Sequence, residues 1–116
     1  ELLRRTFENL LRNALTHTDP GRGVEVEVRG EDEGARVRVR DYGPGVPDNA
    51  LQRIFEPFYR VQEARERGSG DPATGGHGLG LAIARAAVRR HGGTIRAEPA
   101  RGGGLVVDVF LPSDGA

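Results

Sequence analysis

The chain has 116 residues, with Lys+Arg and Asp+Glu both numbering 17 and no cysteine. That length fits one domain around one core. Balanced charge leaves no global basic field for nucleic acid or an anionic membrane surface, and the lack of cysteine excludes disulfides and thiolate metal sites.

Over residues 1–17, Leu3, Phe7, Leu10, Leu11 and Ala14 keep the i, i+4, i+7, i+8, i+11 rhythm of one buried helix face. Asp19-Pro20-Gly21 ends that helix. Val24, Val26 and Val28 alternate with Glu25, Glu27 and Arg29, which predicts a half-buried strand. Gly30 to Gly34 turns the chain, and Val37 and Val39 alternate with Arg36, Arg38 and Arg40 to complete a hairpin. Asp41-Tyr42-Gly43-Pro44-Gly45-Val46-Pro47 forms a rigid loop, followed by a short helix from about Asp48 to Phe55. Residues 60–76 are rich in Gly, Ser, Asp, Pro and charge, and loops of that length are functional or disordered. A helix over 78–91 stops at Gly92-Gly93. Thr94 to Glu98 and Leu105 to Leu111 close the domain as two strands around Arg101-Gly102-Gly103-Gly104. This order predicts an α+β fold: a two-layer α/β sandwich with a mixed, mostly antiparallel sheet and helices on one face.

Glycine numbers 18, well above the average share of about 7%, and marks loops shaped for close backbone approach. Gly75-Gly76-His77-Gly78-Leu79-Gly80-Leu81 opens directly into an alanine-rich helix. Glycines at 76, 78 and 80 strip side chains from a helix mouth whose free N–H groups and dipole attract anions, phosphate above all. The same glycines could also be only a turn. Asn9 and Asn13 stack at i, i+4 on the margin of the first helix's apolar stripe. An amide oxygen suits Mg²⁺, although helix-surface asparagines commonly face solvent. Asp41 either shapes its turn by accepting nearby amides or accepts a hydrogen bond from an adenine amino group, with Gly43 and Gly45 letting the base lie flat. His17, His77 and His91 match no metal motif, and His91 at a helix end suits the dipole. The Walker phosphate loop is absent.

No apolar run approaches the roughly 20 residues that cross a bilayer, and no signal peptide is evident. The chain lacks an initiator Met and opens inside an amphipathic pattern, which reads as a domain cut from a longer protein.

Four segments in order resemble the catalytic ATP-binding domain of bacterial sensor histidine kinases, within the Bergerat-fold ATPases. ENLLRNALTHT at 8–18 is similar to the asparagine box, DYGPGVP at 41–47 to the first glycine box, and IFEPFYR at 54–60 to the phenylalanine box. GGHGLGLAIA at 75–84 resembles the second glycine box, and 92–112 the terminal hairpin. The wording is closest to the envelope-stress (Cpx-like) sensor class. The resemblance implies ATP and Mg²⁺ as cofactors, with Asn13 as metal ligand and catalytic residue and Asn9 beside the phosphates. It implies Asp41 at adenine, with Gly43, Gly45, Val46, Thr16, His17, Phe55, Tyr59 and Leu81 around the nucleotide. Gly76, His77, Gly78, Leu79 and Gly80 are implied at the phosphates. Phe55 and Phe58 are implied to anchor an ATP lid over about 59–76, with Arg60 reaching the γ-phosphate or the partner domain as a second catalytic residue.

Thr16 stands where many relatives carry Lys or Arg, His17 replaces a common Tyr, and His77 a common Thr or Ser. The implied activity is transfer of the γ-phosphate to a histidine on a separate dimerisation domain, and indirectly to a response regulator. The implied setting is a cytoplasmic domain of a homodimeric inner-membrane sensor, with no nucleic acid and no direct membrane contact. Clamp-type relatives that hydrolyse ATP use a carboxylate four residues before the metal asparagine, where this chain has Asn9. A nucleotide-sensing module without transfer is the other alternative.

Overall fold

In this computed structural model, residues 2–59 and 80–113 are described. Helix α1, Leu2–His17, buries Thr6, Leu10 and Ala14. The apolar stripe is therefore centred one position from the predicted rhythm: Leu11 is 36% and Leu15 59% exposed. Thr6 is tolerated at the centre because its hydroxyl donates to the Leu2 carbonyl oxygen at 3.0 Å, so no polar group is left unpaired. Asn9 and Asn13 precede Leu10 and Ala14 by one position each, about 100° round the helix, and both are half-buried.

Strands β1, Val24–Glu31, and β2, Gly34–Asp41, pair antiparallel with Val26 opposite Val39 and Val28 opposite Val37. Both strands run further than the alternation suggested, leaving only Asp32 and Glu33 in the turn. Strands β3, Thr94–Pro99, and β4, Leu105–Pro112, form the closing hairpin. β4 inserts beside β2, giving the order β1-β2-β4-β3 with antiparallel pairing throughout the described strands. The α+β layering is as predicted, and the sheet is antiparallel where a partly mixed one was expected.

Helix α2, Gly80–Arg90, packs beside α1 over one face of this sheet, burying Leu81, Ala84, Ala87 and Val88. Of these, Leu81, Ala84 and Val88 meet Val37 and Val39 of β2 and Leu105, Val107 and Val109 of β4 in one core. α2 ends as the Gly92-Gly93 pair dictates. Gly92 adopts a φ of 77°, its amide donates to Arg89 O at 3.0 Å, and the Gly93 amide donates to Val88 O at 2.9 Å. That is the paired 5→2 and 6→1 closure of a glycine-capped helix. His91 follows at the helix end as expected, its Nδ1 lying 3.0 Å from Ala87 O.

Two expectations change. The half-buried β1 is an edge strand whose Val26 and Val28 are 51% and 70% exposed. They share a face with Val37 and Val39, but the helices extend over β2, β4 and β3 and only the margin of β1. The short helix predicted over 48–55 resolves into two 3₁₀ turns, Asp48–Ala50 and Arg53–Phe55. Such turns suit a connector, and they suffice to bury Ala50, Ile54 and Phe55.

The opposite face of the sheet carries an ion lattice. Asp108, only 2% exposed, receives Arg36 Nη1 at 3.0 Å and Arg38 Nη1 at 3.1 Å, with Arg96 at 3.7 Å. Glu31 and Glu98 hold the outer sides of Arg36 and Arg38. The guanidinium stems cover β4, which keeps Val106 buried on a face without helices. Asp108→Ala strips the central anion from cations that remain partly wet. Equilibrium urea unfolding should show a loss of about 2 kcal/mol, between the values of exposed and fully buried pairs; a change below about 0.5 kcal/mol would mean the lattice is merely solvated charge.

Candidate functional site

The candidate site runs along α1. At its C-terminal end, β2 delivers Asp41, 4% exposed, into a loop locked against the helix. The Asp19 amide donates to Tyr42 O at 3.2 Å. The Tyr42 amide donates to Thr18 Oγ1 at 2.9 Å, and that hydroxyl donates to Gly23 O at 2.7 Å. A methyl group at Gly43 would overlap the His17 carbonyl oxygen, so only glycine lets the loop approach the helix end this closely.

Asp41 Oδ1 accepts the Gly43 amide at 2.9 Å and the Leu105 amide at 3.2 Å. Among the described residues Oδ2 has no hydrogen-bond partner. Burial raises the Asp41 pKa above the ordinary carboxylate value, while the Gly43 and Leu105 amides, then His17 and Arg40, pull it back. The turn-shaping and ligand-accepting readings of Asp41 are thus compatible: one oxygen shapes the turn and the other is left for a donor. Gly104 completes the wall. A Cβ there would overlap the Asp41 carbonyl oxygen.

The other end of the site lies where α1 meets the start of α2. Asn9 Oδ1 stands 4.0 Å from the position a Cβ on Gly80 would take. The asparagine face of α1 therefore confronts a helix N-terminus, whose first amides lack intrahelical partners. Asn13 lies one turn further toward the Asp41 loop on the same half-buried face. Thr16 is half-buried, and its hydroxyl donates to Arg12 O at 2.8 Å. Val46 and Tyr59 pack on the margin of the core, with Arg53 over the Tyr59 ring at 4.8 Å. The Leu81 side chain is a core residue, so only its backbone could serve a ligand.

Phe55 is buried at 1% exposure, whereas Phe58 is 70% exposed with a φ of 66°. Of the two expected anchors, only Phe55 is set in the core. Gly45 has a φ of 81° and lies against Gly104. Arg60, Gly76, His77, Gly78 and Leu79, with all of the expected lid over about 59–76 except Tyr59, lie outside the described residues.

Two contributors were missed from sequence. The Leu105 amide and the Thr18 hydroxyl both brace the Asp41 loop; their one signal was the run of three glycines at 102–104 and a threonine at a helix end.

The family model for histidine kinase-, DNA gyrase B-, and HSP90-like ATPases matches residues 1–115. The chain belongs to this ATPase family. It is 41% identical over 110 residues to the signal transduction histidine-protein kinase BaeS of Escherichia coli, covering 95% of this chain and 22% of that protein. To the sensor protein CutS of Streptomyces coelicolor it is 45% identical over 112 residues, covering 96% of this chain and 26% of the relative. The chain thus spans about a quarter or less of the length of these curated relatives. Among solved structures of this ATPase type, the mycobacterial sensor histidine kinase MprB matches with a TM-score of 0.78 and 34% identity, over 96% of this chain and 70% of that one. Full-length ShkA, solved with AMPPNP, matches with a TM-score of 0.74 and 31% identity over 97% of this chain and 22% of that one.

The raised Asp41 pKa sets a sign for stability. The folded state holds the proton more tightly than the unfolded state, so the carboxyl stabilises the fold at low pH. That contribution is lost as pH rises from the ordinary value of 3.8 through the raised folded value. Asp41→Asn removes this term. Urea unfolding at several pH values should therefore show the stability of the unaltered chain minus that of the variant falling as pH rises through that window; a difference that stays constant or grows with pH would contradict the burial.

Proposed function

We propose that residues 1–116 are one catalytic ATP-binding domain of a sensor histidine kinase, which binds Mg-ATP and transfers its γ-phosphate to a histidine on a separate dimerisation domain. One observation carries this reading: the Asp41 acceptor at the end of β2 lies against one end of α1, and the asparagine face of α1 lies against a helix N-terminus at the other. His17 and Asn9 are separated by about 12 Å along the helix, a span that an extended nucleoside triphosphate covers. The identity to named sensor kinases supports the assignment of class.

In this reading Asp41 Oδ2 accepts a hydrogen bond from the adenine amino group, with Gly43, Gly45 and Val46 forming the floor. His17 and Thr16 border the base and sugar side, and Phe55 and Tyr59 support the region below the lid. Asn9, Gly80 and the backbone of Leu81 face the phosphates, with Gly76, His77, Gly78 and Leu79 assigned to the same loop. The donor set at Asn13 fits Mg²⁺. It offers one neutral amide oxygen on a half-buried face, with no cluster of three His, Cys, Asp or Glu set to hold a metal among the described residues. That matches a cation shared between one side chain, water and phosphates. Bound there, Mg²⁺ would neutralise charge on the triphosphate.

Phosphoryl transfer depends on positioning and charge more than on covalent help. Helix N-terminal amides, Asn13 and Arg60 supply these. The acceptor imidazole is nucleophilic when neutral, so the chain needs no general base. Glu8, the carboxylate nearest Asn13 in sequence on α1, points away: its side chain is 57% exposed and pairs with Arg4 at 3.7 Å. That geometry disfavours a hydrolytic clamp. Among the described residues no helix is long and apolar enough to cross a membrane. We assign the domain to the cytoplasmic side of a homodimeric inner-membrane sensor, signalling onward to a response regulator.

Calorimetry with ADP or ATP and millimolar Mg²⁺ should give micromolar-range binding, abolished in Asp41→Asn without loss of the folded baseline. No heat from the unaltered chain would overturn the assignment. Labelled phosphate should then pass to a separately supplied dimerisation domain; normal binding with no transfer would instead favour a nucleotide-sensing module.

A further inference from the structure

Arg40 behaves unlike its neighbours on the outer face of the sheet. Arg36 and Arg38 pair with carboxylates. Arg40 instead donates from Nη2 to two backbone carbonyl oxygens, Arg101 O at 2.8 Å and Gly103 O at 3.0 Å. Its cross-strand neighbour is Glu25, yet the guanidinium turns to the carbonyls instead. The Arg40 guanidinium stacks on the Tyr42 ring at 4.1 Å, and its Nε is buried with no hydrogen-bond partner among the described residues. The unsatisfied Nε is a cost, and the two carbonyl bonds from Nη2 together with the Tyr42 stacking offset it and hold the guanidinium on the turn.

That turn needs restraint. Gly102, Gly103 and Gly104 have φ values of 86°, 112° and 94°, three consecutive residues with the largest backbone freedom to lose. The turn closes through Ala100 N to Gly104 O at 3.0 Å and Gly103 N to Ala100 O at 3.1 Å. Its next residue, Leu105, supplies one of the two amides that orient Asp41, and Gly104 presses on the Asp41 backbone. Arg40 is adjacent to Asp41 in sequence but points to the other face, so it reaches round the strand end to hold the turn from behind.

We propose that Arg40 is a positioning residue for base recognition, fastening the Ala100–Gly104 turn so that the Leu105 amide fixes the Asp41 carboxylate toward an adenine amino group. This rests on the nucleotide reading given above. A single cation thereby converts a freely moving glycine turn into part of a rigid acceptor, at no cost in groups facing the ligand.

Amide hydrogen exchange and calorimetry on the same variants test it. In the nucleotide-free chain, Arg40→Ala should speed exchange at the Leu105 amide about tenfold, as loss of a charged hydrogen bond implies. Affinity for Mg-ADP should fall about tenfold, while affinity for Mg-tripolyphosphate, which has no base, stays unchanged. Arg40→Lys, which keeps the charge but loses the planar fork and its stacking on Tyr42, should restore only part of each effect. Should Arg40→Ala fail to fold, Arg40→Gln takes its place with the same expectations. Unchanged Leu105 protection, or equal losses for ADP and tripolyphosphate, overturns the proposal. Absence of ADP binding by the unaltered chain refutes the nucleotide reading instead, and Leu105 protection then decides the clamp by itself.

Discussion

A buried carboxylate gripped by two backbone amides, one two residues away and one 64 residues away, is the constraint on which the candidate site depends. Asp41 sits at the end of a central strand, where burial penalises its charge and the Gly43 and Leu105 amides compensate. Both amides fall on one oxygen. Among the described residues no hydrogen bond falls on the other oxygen, and an acceptor held this rigidly loses little entropy when a donor arrives. Every neighbour serves that arrangement: Gly43 against the end of α1, Thr18 under Tyr42, and the glycine turn behind Leu105.

Helix α1 joins this acceptor to the opposite end of the site. Its apolar stripe packs on β2 and α2, which fixes the helix rotation and hence where Asn9 and Asn13 point. The stripe centres on Thr6, Leu10 and Ala14, so the asparagines fall at its edge, facing the beginning of α2 at Gly80. The polar face could not be turned without exposing Leu10. Core packing and ligand geometry are therefore coupled through a single rigid element, which is how a small sheet-and-helix domain holds two distant groups in register. The ion lattice on the far face supports the same strands from outside, since β2 carries Asp41 at its end and Arg36 and Arg38 along its length.

Local periodicity made the elements legible. The alternating valines of 24–28 and 37–39 each mark one face of a strand, the stripe of 1–17 marks a buried helix face, and the Gly92-Gly93 pair marks a real stop. What stayed hidden depends on neighbours far along the chain. Val26 and Val28 read as core because alternation reports a face and cannot report whether a helix reaches the edge strand. The turn-closing role of Arg40 involves partners 61 and 63 residues away, and the Leu105 amide lies 64 residues from Asp41. No spacing rule reaches that far. The candidate site was half legible in this sense. Its motifs named Asn9, Asn13, Asp41, Gly43 and Gly80, while the backbone donors and the clamp that orient them emerge only from the packing of β4 against β2. Phe58, expected with Phe55 to anchor the lid, is 70% exposed at a left-handed backbone position, a conformation that the motif does not report.

The central claim is that one molecule touches both ends of α1. Titration of isotopically labelled chain with Mg-ADP, followed by amide and asparagine side-chain resonances, tests it most directly. Gly43, Leu105, Gly80 and the Asn9 and Asn13 side chains should shift together along one saturation curve. Shifts confined to the Asp41 loop, with Gly80 and both asparagines unmoved at saturation, would contradict it.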